Sequence, residues 1–340
     1  MTDAAVPHGF VPTSTSWTNA YRGWILGFAG QEESRRPVLL HTETSGFSWS
    51  RRAAPQVEVS EFSGHVRVHA MTERDLLVTN GETVFATHDG ATHWHLVELA
   101  EAGNPALVGD LASNEHFCYA VVTSGDEETR RTRLLVSPVS ESRWEPVTGI
   151  EVPGPAGGSV VATGGAAFVA LGGGGVAGRY WVSDNGTDWR ESTPPCAEPY
   201  VATWLTVPPA DPSMVFALCS YQADQPPGHT YKDLKCSLGQ GEFRTLGRAP
   251  APGISRGLAV STPLSVVVSS VGGGFGFLFR STDGGREWET ALRQEPPMFL
   301  DLDFQDPVHG VVLRGSGTGR HGAVLRTFDG GASWQGLSPG

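Results

Sequence analysis

Arg280–Thr290 reads RSTDGGREWET, and Arg326–Gly336 reads RTFDGGASWQG. The shared pattern is Ser/Thr-x-Asp-Gly-Gly-x-x-Trp, and its two tryptophans, Trp288 and Trp334, lie 46 residues apart. A catalytic motif is needed once, whereas a motif that returns at a fixed spacing belongs to a scaffold. Fainter copies extend the series. THDGATHW keeps Thr87, Asp89 and Trp94, VSDNGTDW keeps Asp184, Gly186 and Trp189, and TETSGFSW keeps Thr42, Gly46 and Trp49 with Thr44 in the Asp place. SPVSESRW keeps Ser137 and Trp144, and CSLGQGEF keeps only an aromatic, Phe243. The anchors Trp49, Trp94, Trp144, Trp189, Phe243, Trp288 and Trp334 are spaced by 45, 50, 45, 54, 45 and 46 residues, so seven units fill the chain.

Each unit holds four short runs of apolar and β-branched residues bounded by Gly, Pro, Asp or Asn; in the last they are FLDLDF, GVVLRG, AVLRTF and SWQGL. Runs of that length and composition are strands, and no segment sustains a capped 3.6-residue apolar period. Four strands per ~40–50 residues is the signature of a β-propeller blade. The fold predicted is all-β: a single seven-bladed propeller domain over 1–340, with four-stranded antiparallel blades at about 12–54, 62–100, 105–149, 157–193, 199–247, 253–293 and 298–338. Each blade is expected to come from its own repeat, with no strand crossing over to close the ring.

The repeated box falls at the turn between third and fourth strands. Gly284-Gly285 and Gly330-Gly331 permit positive φ there. Asp89, Asp184, Asp283 and Asp329 are placed to accept turn amides, and Trp94, Trp189, Trp288 and Trp334 open the outer strand and pack between blades. The pattern resembles the Asp-box (BNR) repeat of sialidases, two-ring xyloglucanases, sortilin-type receptors and the Ycf48/HCF136-like photosystem II assembly factors. The single-ring assembly factors are the nearest in size, and TNAYRGWILGF and FQDPVHGVVLRG resemble the first hairpins of their blades. The resemblance implies the architecture over the whole chain. It leaves the activity open, because these relatives use one fold for different tasks.

The chain carries a net charge of −12 and only two lysines, Lys232 and Lys235, among 24 basic residues. An acidic chain without a basic stripe speaks against nucleic acid and anionic membranes as partners. MTDAAVPHGF has no basic start or apolar core of a signal peptide, so a cytoplasmic monomer is expected. Cys118, Cys196, Cys219 and Cys236 are then free thiols. Cys219 and Cys236 flank one loop, YQADQPPGHTYKD, and could alternatively face each other. No Cys/His spacing fits a metal, no cofactor is implied, and His88, His93 and His95 are read as exposed residues of a structural turn.

In such rings the connections between blades and the loops between second and third strands share the face away from the boxes, and relatives bind there. The expected innermost strands are STSWTNA, VRVHAM, LVGDLA, SVVAT, VATWLTV, SRGLAV and FLDLDF. Their unusual members are Arg67, His69, Asp110, Arg256, Asp301 and Asp303, joined by the aromatics Trp17, Tyr200 and Trp204. Trp17, Arg67, Tyr200, Trp204 and Arg256 are candidate ligand-binding residues at the channel mouth opposite the boxes. Asp301, Asp303 and His69 are the catalytic candidates. Asp301 and Asp303, at i and i+2, should point the same way ~6.6 Å apart, either sharing a proton as acid and base or pairing with Arg67 or Arg256. The Gly-rich runs LGGGGVAGRYW and VGGGFGF lack the helix start of a phosphate cradle and are turn tips. Two functions remain. The first is a non-catalytic binding or assembly propeller for a small molecule, glycan or protein. The second is a glycosidase-like hydrolase, lyase or cyclase at the same mouth. Neither YRGW nor RRPV matches the Arg-Ile-Pro motif that a sialidase would require.

Overall fold

A computed structural model describes residues 6–31, 34–58, 66–99, 106–173, 176–197, 200, 202–222, 225–238, 241–295, 298–315 and 322–337. Val201 and parts of the loops at 30–37 and 171–181 lie outside the described residues. The 28 strands form seven four-stranded antiparallel sheets, each built from consecutive strands. Blades 1 to 7 run Val11–Arg52, Arg67–Val97, Ala106–Pro153, Gly157–Ser192, Ala202–Arg248, Ile254–Gln294 and Met298–Leu337. The chain is therefore a seven-bladed β-propeller. No α-helix occurs among the described residues. Blade 1 packs directly on blade 7 through Trp17, Ile25, Val311, Leu313 and Val324, and no strand is shared across the closure.

Packing follows from position in the blade. Second strands are covered on both faces by adjacent blades, so GWILGFA, FCYAVVTS, AAFVALGG and MVFALCSY are nearly continuous apolar runs with buried side chains. Fourth strands form the rim; in blades 1, 2 and 7 they shrink to SRR, HLV and QGL and are largely exposed. Short polar edges give another chain little to pair with. The core is a set of clusters between blades, and each of the seven anchors joins the cluster shared with the preceding blade. Trp49 sits between blades 7 and 1, Trp94 between 1 and 2, Trp144 between 2 and 3, and Trp189 between 3 and 4. Phe243 sits between blades 4 and 5, Trp288 between 5 and 6, and Trp334 between 6 and 7. Only Trp144 is fully buried.

The full copies of the repeated turn share one hydrogen-bond scheme. Ser281 Oγ donates to Asp283 Oδ1 at 2.8 Å and accepts the Gly285 amide at 2.8 Å, while Asp283 accepts the amides of Arg286 and Glu287. Thr327 and Asp329 repeat this with Gly331 and Ser333. Gly285 (φ 93°) and Gly331 (φ 87°) hold the left-handed position the turn demands. In blade 2 Ala91 accepts that conformation (φ 65°), and in blade 1 Thr44 Oγ1 replaces the carboxylate by accepting the Ser48 amide at 2.9 Å. Blade 4 corrects the sequence reading. Its turn is one residue shorter, so counting back from Trp189 slips by one; Asn185, not Asp184, accepts the amides of Thr187 and Asp188, and Asp184 is exposed.

The cysteine reading is also corrected. Cys196 and Cys219 form a disulfide, with Cα atoms 5.5 Å apart, while Cys118 and Cys236 are free. Cys219 stands opposite Asp233 and Cys236 opposite Phe216, three rungs along the same ladder, so the proposed 219–236 contact cannot form. The bond ties the blade 4–5 connection to the second strand of blade 5. The blade 5–6 connection is held differently: the fully buried Lys232 Nζ donates to the carbonyls of Thr230, Pro250, Ala251, Pro252 and Gly253 at 2.8–3.3 Å. Lys235 Nζ caps Pro195 O at 2.7 Å.

Two stability outcomes follow. Trp288→Ala should cost about 3 kcal/mol by denaturant titration, and Asp283→Ala less, because water can reach the freed amides; equal losses would show that the turn, not the wedge, holds the blades. Replacing Cys196 and Cys219 together by Ser should cost about 2–4 kcal/mol under non-reducing conditions. An unchanged midpoint would mean the bond constrains nothing.

Candidate functional site

An innermost strand has a hydrogen-bonding neighbour on one side only, so its inner edge presents unpaired backbone groups. Side chains of adjacent blades satisfy several of them. Asp301 Oδ2 of blade 7 accepts the Thr15 amide of blade 1 at 2.8 Å. Ser14 and Ser16 accept the amides of Val68 and Ala70 in blade 2, at 3.1 and 3.0 Å. Arg67 Nη2 donates to Val108 O of blade 3 at 3.1 Å. Asp110 Oδ2 accepts the Val160 amide of blade 4 at 2.9 Å, and Ser159 Oγ the Leu205 amide of blade 5 at 3.0 Å. A hydroxyl pair, Ser220 and Ser255 at 2.6 Å, joins blades 5 and 6, and Arg280 Nε reaches Gly330 O in blade 7 at 3.0 Å.

Inside this ring lies a cavity of about 530 Å³, whose wall includes Trp17, Arg67, His69, Asp110, Ser113, Asp301 and Asp303. Most of its lining belongs to the second halves of the innermost strands, and Thr18, Met71, Ser113 and Ala162 are shared with a groove of about 520 Å³ that also includes Asn19, Glu73 and Glu115. That groove is made by loops joining first to second strands, which in an antiparallel meander lie on the same face as the repeated turns; the Ser45 amide of one such turn bonds Tyr21 O at 2.8 Å. The cavity thus borders the groove on the face of the repeated turns, and its lining side chains stand past the middle of most innermost strands, not at their starts as expected.

The structure brings Trp17, Arg67, His69, Asp301 and Asp303 together and leaves three candidates elsewhere. Arg256 is exposed and takes no part in the cavity wall. Trp204 and Tyr200 line a separate cleft of about 160 Å³ at the blade 4–5 junction. Tyr200 packs on the disulfide, and its hydroxyl fits a notch at Gly172 and Gly178, where a Cβ would stand 2.3 Å away. Trp17 is buried rather than open; its Nε1 donates to Thr15 Oγ1 at 2.8 Å.

Asp301 and Asp303 do not alternate as on a regular strand. The pairing jumps from Leu300↔Leu313 to Asp303↔Val311, a bulge, and Asp301 adopts φ 48°. The two carboxylates consequently have different environments. Asp301 holds the Thr15 amide, whereas Asp303 faces the lumen and is exposed to channel water, with Gln305 Nε2 at 3.3 Å. The protein wall packed around the channel, with a smaller push from the charge of Asp301, raises the Asp303 carboxyl to about 6. Asp110 is raised by burial, opposed by the amides it accepts and by Arg67. Burial and the Arg67 charge lower His69 to about 4, so it is neutral near pH 7 and shares a hydrogen bond with Ser113 Oγ at 2.9 Å. Among the described residues no ion pair joins Asp301 or Asp303 to Arg67 or Arg256.

The guanidinium nearest this chemistry is Arg326, which the sequence reading gave no role. It is fully buried, lies 3.9 Å over the Trp17 ring, and donates to Ala20 O of blade 1 and to Gln305 Oε1. Its signal was present: Arg280 and Arg326 both precede the Ser/Thr of a full box, and both reach into the next blade. Among the described residues no group of three or more His, Cys, Asp or Glu is placed to hold a metal.

No protein-family model and no curated protein sequence matches the chain. Solved structures do. A structure of YCF48 bound to D1 peptide is 16% identical, with a TM-score of 0.55, covering 96% of this chain and 95% of that one. Oligogalacturonate lyase from Vibrio parahaemolyticus is 11% identical, with a TM-score of 0.57 and coverage of 96% and 92%. A family PL25 ulvan lyase bound to its saccharide is 11% identical, with a TM-score of 0.60 and coverage of 99% and 96%. These likenesses are of fold.

The raised Asp303 carboxyl has a signed consequence. Between the free-Asp value of ~3.9 and about 6 the folded state binds more protons than the unfolded chain. Its contribution to stability is therefore present at low pH and falls as pH rises through that window. Asp303→Asn should gain stability relative to wild type on going from pH 4 to pH 7, read as the difference in denaturation midpoints. A constant difference would place Asp303 in bulk-like water.

Proposed function

We propose that the chain is a binding propeller whose channel receives a partner segment bearing a basic side chain. The supporting observation is the division of labour in the channel wall. Asp301, Asp110, Ser14, Ser16, Ser159 and Arg67 are engaged with backbone groups of neighbouring blades, which leaves Asp303 as the lumen carboxylate without a backbone staple. The cavity wall carries Asp110, Asp301 and Asp303 against Arg67, with Arg326 buried behind Trp17, so carboxylates outnumber guanidiniums and the field favours a cation. The resemblance to Asp-box propellers and the fold likeness to a peptide-bound YCF48 agree with a protein or peptide partner. The acidic chain disfavours nucleic acid and anionic membranes, and no described helix is long and apolar enough to cross a membrane. The disulfide supports, in this reading, a working environment that is oxidising rather than the reducing cytoplasm expected from the sequence.

The second reading is an enzyme at the same cavity. It is favoured by Asp303, whose carboxyl near 6 is suited to proton transfer around neutrality. Three carboxylates in the wall repel uronate chains, so the lyase neighbours are poor guides to a substrate.

Fluorescence anisotropy with labelled peptides that differ only in arginine or its neutral isostere citrulline separates these readings. The arginine peptide should bind saturably, weaken with salt, and lose affinity with Asp303→Lys and with Met71→Arg at the mouth. Equal binding of both peptides, or unchanged binding by both variants, would overturn the proposal. Formation of unsaturated uronide from a polyuronate, followed by ultraviolet absorbance and lost in Asp303→Asn, would establish the enzyme instead.

A further inference from the structure

Turns of blades 2 and 3 meet outside the channel, on the face of the repeated turns. Here Asp75, His88 and Ser142 are joined in line. His88 Nδ1 is 2.9 Å from Asp75 Oδ1, and His88 Nε2 is 2.9 Å from Ser142 Oγ. His95 Nε2 lies 2.7 Å from the same hydroxyl. Asp75 is buried (its side chain is 7% exposed), and His88 is partly open, at 27%. Ser142 borders a cavity of about 610 Å³ that includes His88, His95, Glu98, Arg143 and Trp144.

With Asp75 ionised and both imidazoles neutral, one arrangement of protons satisfies all three contacts. An ionised Asp75 only accepts, so His88 carries its proton on Nδ1 and its Nε2 is a lone-pair acceptor. Ser142 must then donate its single proton to His88, and His95 must donate to the Ser142 oxygen from a protonated Nε2. This is the order carboxylate, imidazole, hydroxyl in which a serine is activated as a nucleophile. The preceding Ser140 is held at φ 68°, a strained conformation for a residue with a side chain, and strain of that kind is found where a turn must present a group in a set direction. Neither the turn scheme nor the blade packing needs His88 or Ser142: the turn in blade 2 is closed by Thr87 and Asp89.

We propose that Ser142 is an acyl-accepting nucleophile, with His88 as its base and Asp75 as the positioning residue, acting on small activated esters outside the channel. Oγ adds to the ester carbonyl carbon while its proton passes to His88 Nε2 and the π pair moves to the carbonyl oxygen. Collapse of that pair breaks the bond to the alkoxy group, which leaves with the proton held by His88. Water, deprotonated by His88, attacks the acyl-serine in the same way, releasing the carboxylic acid and restoring Ser142. His95 Nε2, 2.7 Å from Ser142 Oγ, is the side-chain donor available to the developing oxyanion in this proposal. This site is independent of the channel and of the binding reading above.

The test uses the whole chain and an alkyl fluorophosphonate, which transfers phosphorus to an activated serine with loss of fluoride. Intact mass and peptide mapping should show one adduct, on Ser142. Ser142→Ala should abolish it, and His88→Gln should slow it by at least ~100-fold, the order contributed by a general base. His88 is partly open to solvent, so His88→Gln keeps the test open if Asp75→Asn does not fold. Where Asp75→Asn folds, it should slow labelling and shift its pH profile, and Asp75→Glu should restore part of the rate, a rescue that a merely structural Asp75 would not give. An adduct on another residue, no adduct, or wild-type labelling in His88→Gln would overturn the proposal.

Discussion

The inner edge of each blade is the constraint on which the ring depends. A four-stranded sheet that stands alone ends in a strand with half its backbone groups unpaired, and in a propeller those edges converge on a narrow channel where water is limited. Asp301, Ser14, Ser16, Arg67, Asp110 and Ser159 meet that demand from the neighbouring blade. Each bond is worth roughly 0.5–1.5 kcal/mol, more where a charge is involved. Together they join successive blades from 7 through to 5 at the radius where the sheets lie closest. Blade 7 therefore meets blade 1 through Asp301 and buried apolar surface, with no interlocked strand.

The aromatic anchors secure the same junctions at a larger radius. Their hydrogen-bonded turns vary from blade to blade: a carboxylate in blades 2, 6 and 7, an asparagine in blade 4, a threonine hydroxyl in blade 1. The wedge between blades is present in all seven. A turn on the surface can be satisfied by water or by several side chains, whereas a gap between sheets has to be filled by a large ring. That asymmetry explains why the anchor persists where the turn residues have decayed.

The same asymmetry decides how much was legible in the sequence. Blade number and strand order followed from the anchor period, because burial at every junction enforces it. The turn in blade 4 was misassigned because one deleted residue shifts the acceptor from Asp184 to Asn185 without disturbing Trp189. Charged residues on the innermost strands are visible in the sequence, but which of them face the channel is not: Arg256 lies outside its wall. Asp301 and Asp303 are separated by a bulge that no alternation rule announces. Tyr200 and Trp204 precede or open a strand whose neighbours are glycines, so their rings fold into a junction cleft rather than the lumen. Arg326 has no sequence signal beyond its place before a repeated motif, which it shares with Arg280. The Asp75–His88–Ser142 line joins two blades that are unrelated in local sequence, and only the closed ring brings them into contact.

The two lysines carry a chemical consequence. Lys232 is enclosed by five carbonyls, and Lys235 is held against Pro195. A side chain whose nitrogen is turned inward onto carbonyls is out of reach of an electrophile, and the other basic side chains of the chain are guanidiniums and imidazoles. The described surface thus offers little amine to aldehyde fixation or isopeptide tagging, even though the protein is folded and hydrated. Reaction at Lys232 would report the opening of the junction between blades 5 and 6, making a single side chain a chemical clock for local unfolding of the ring.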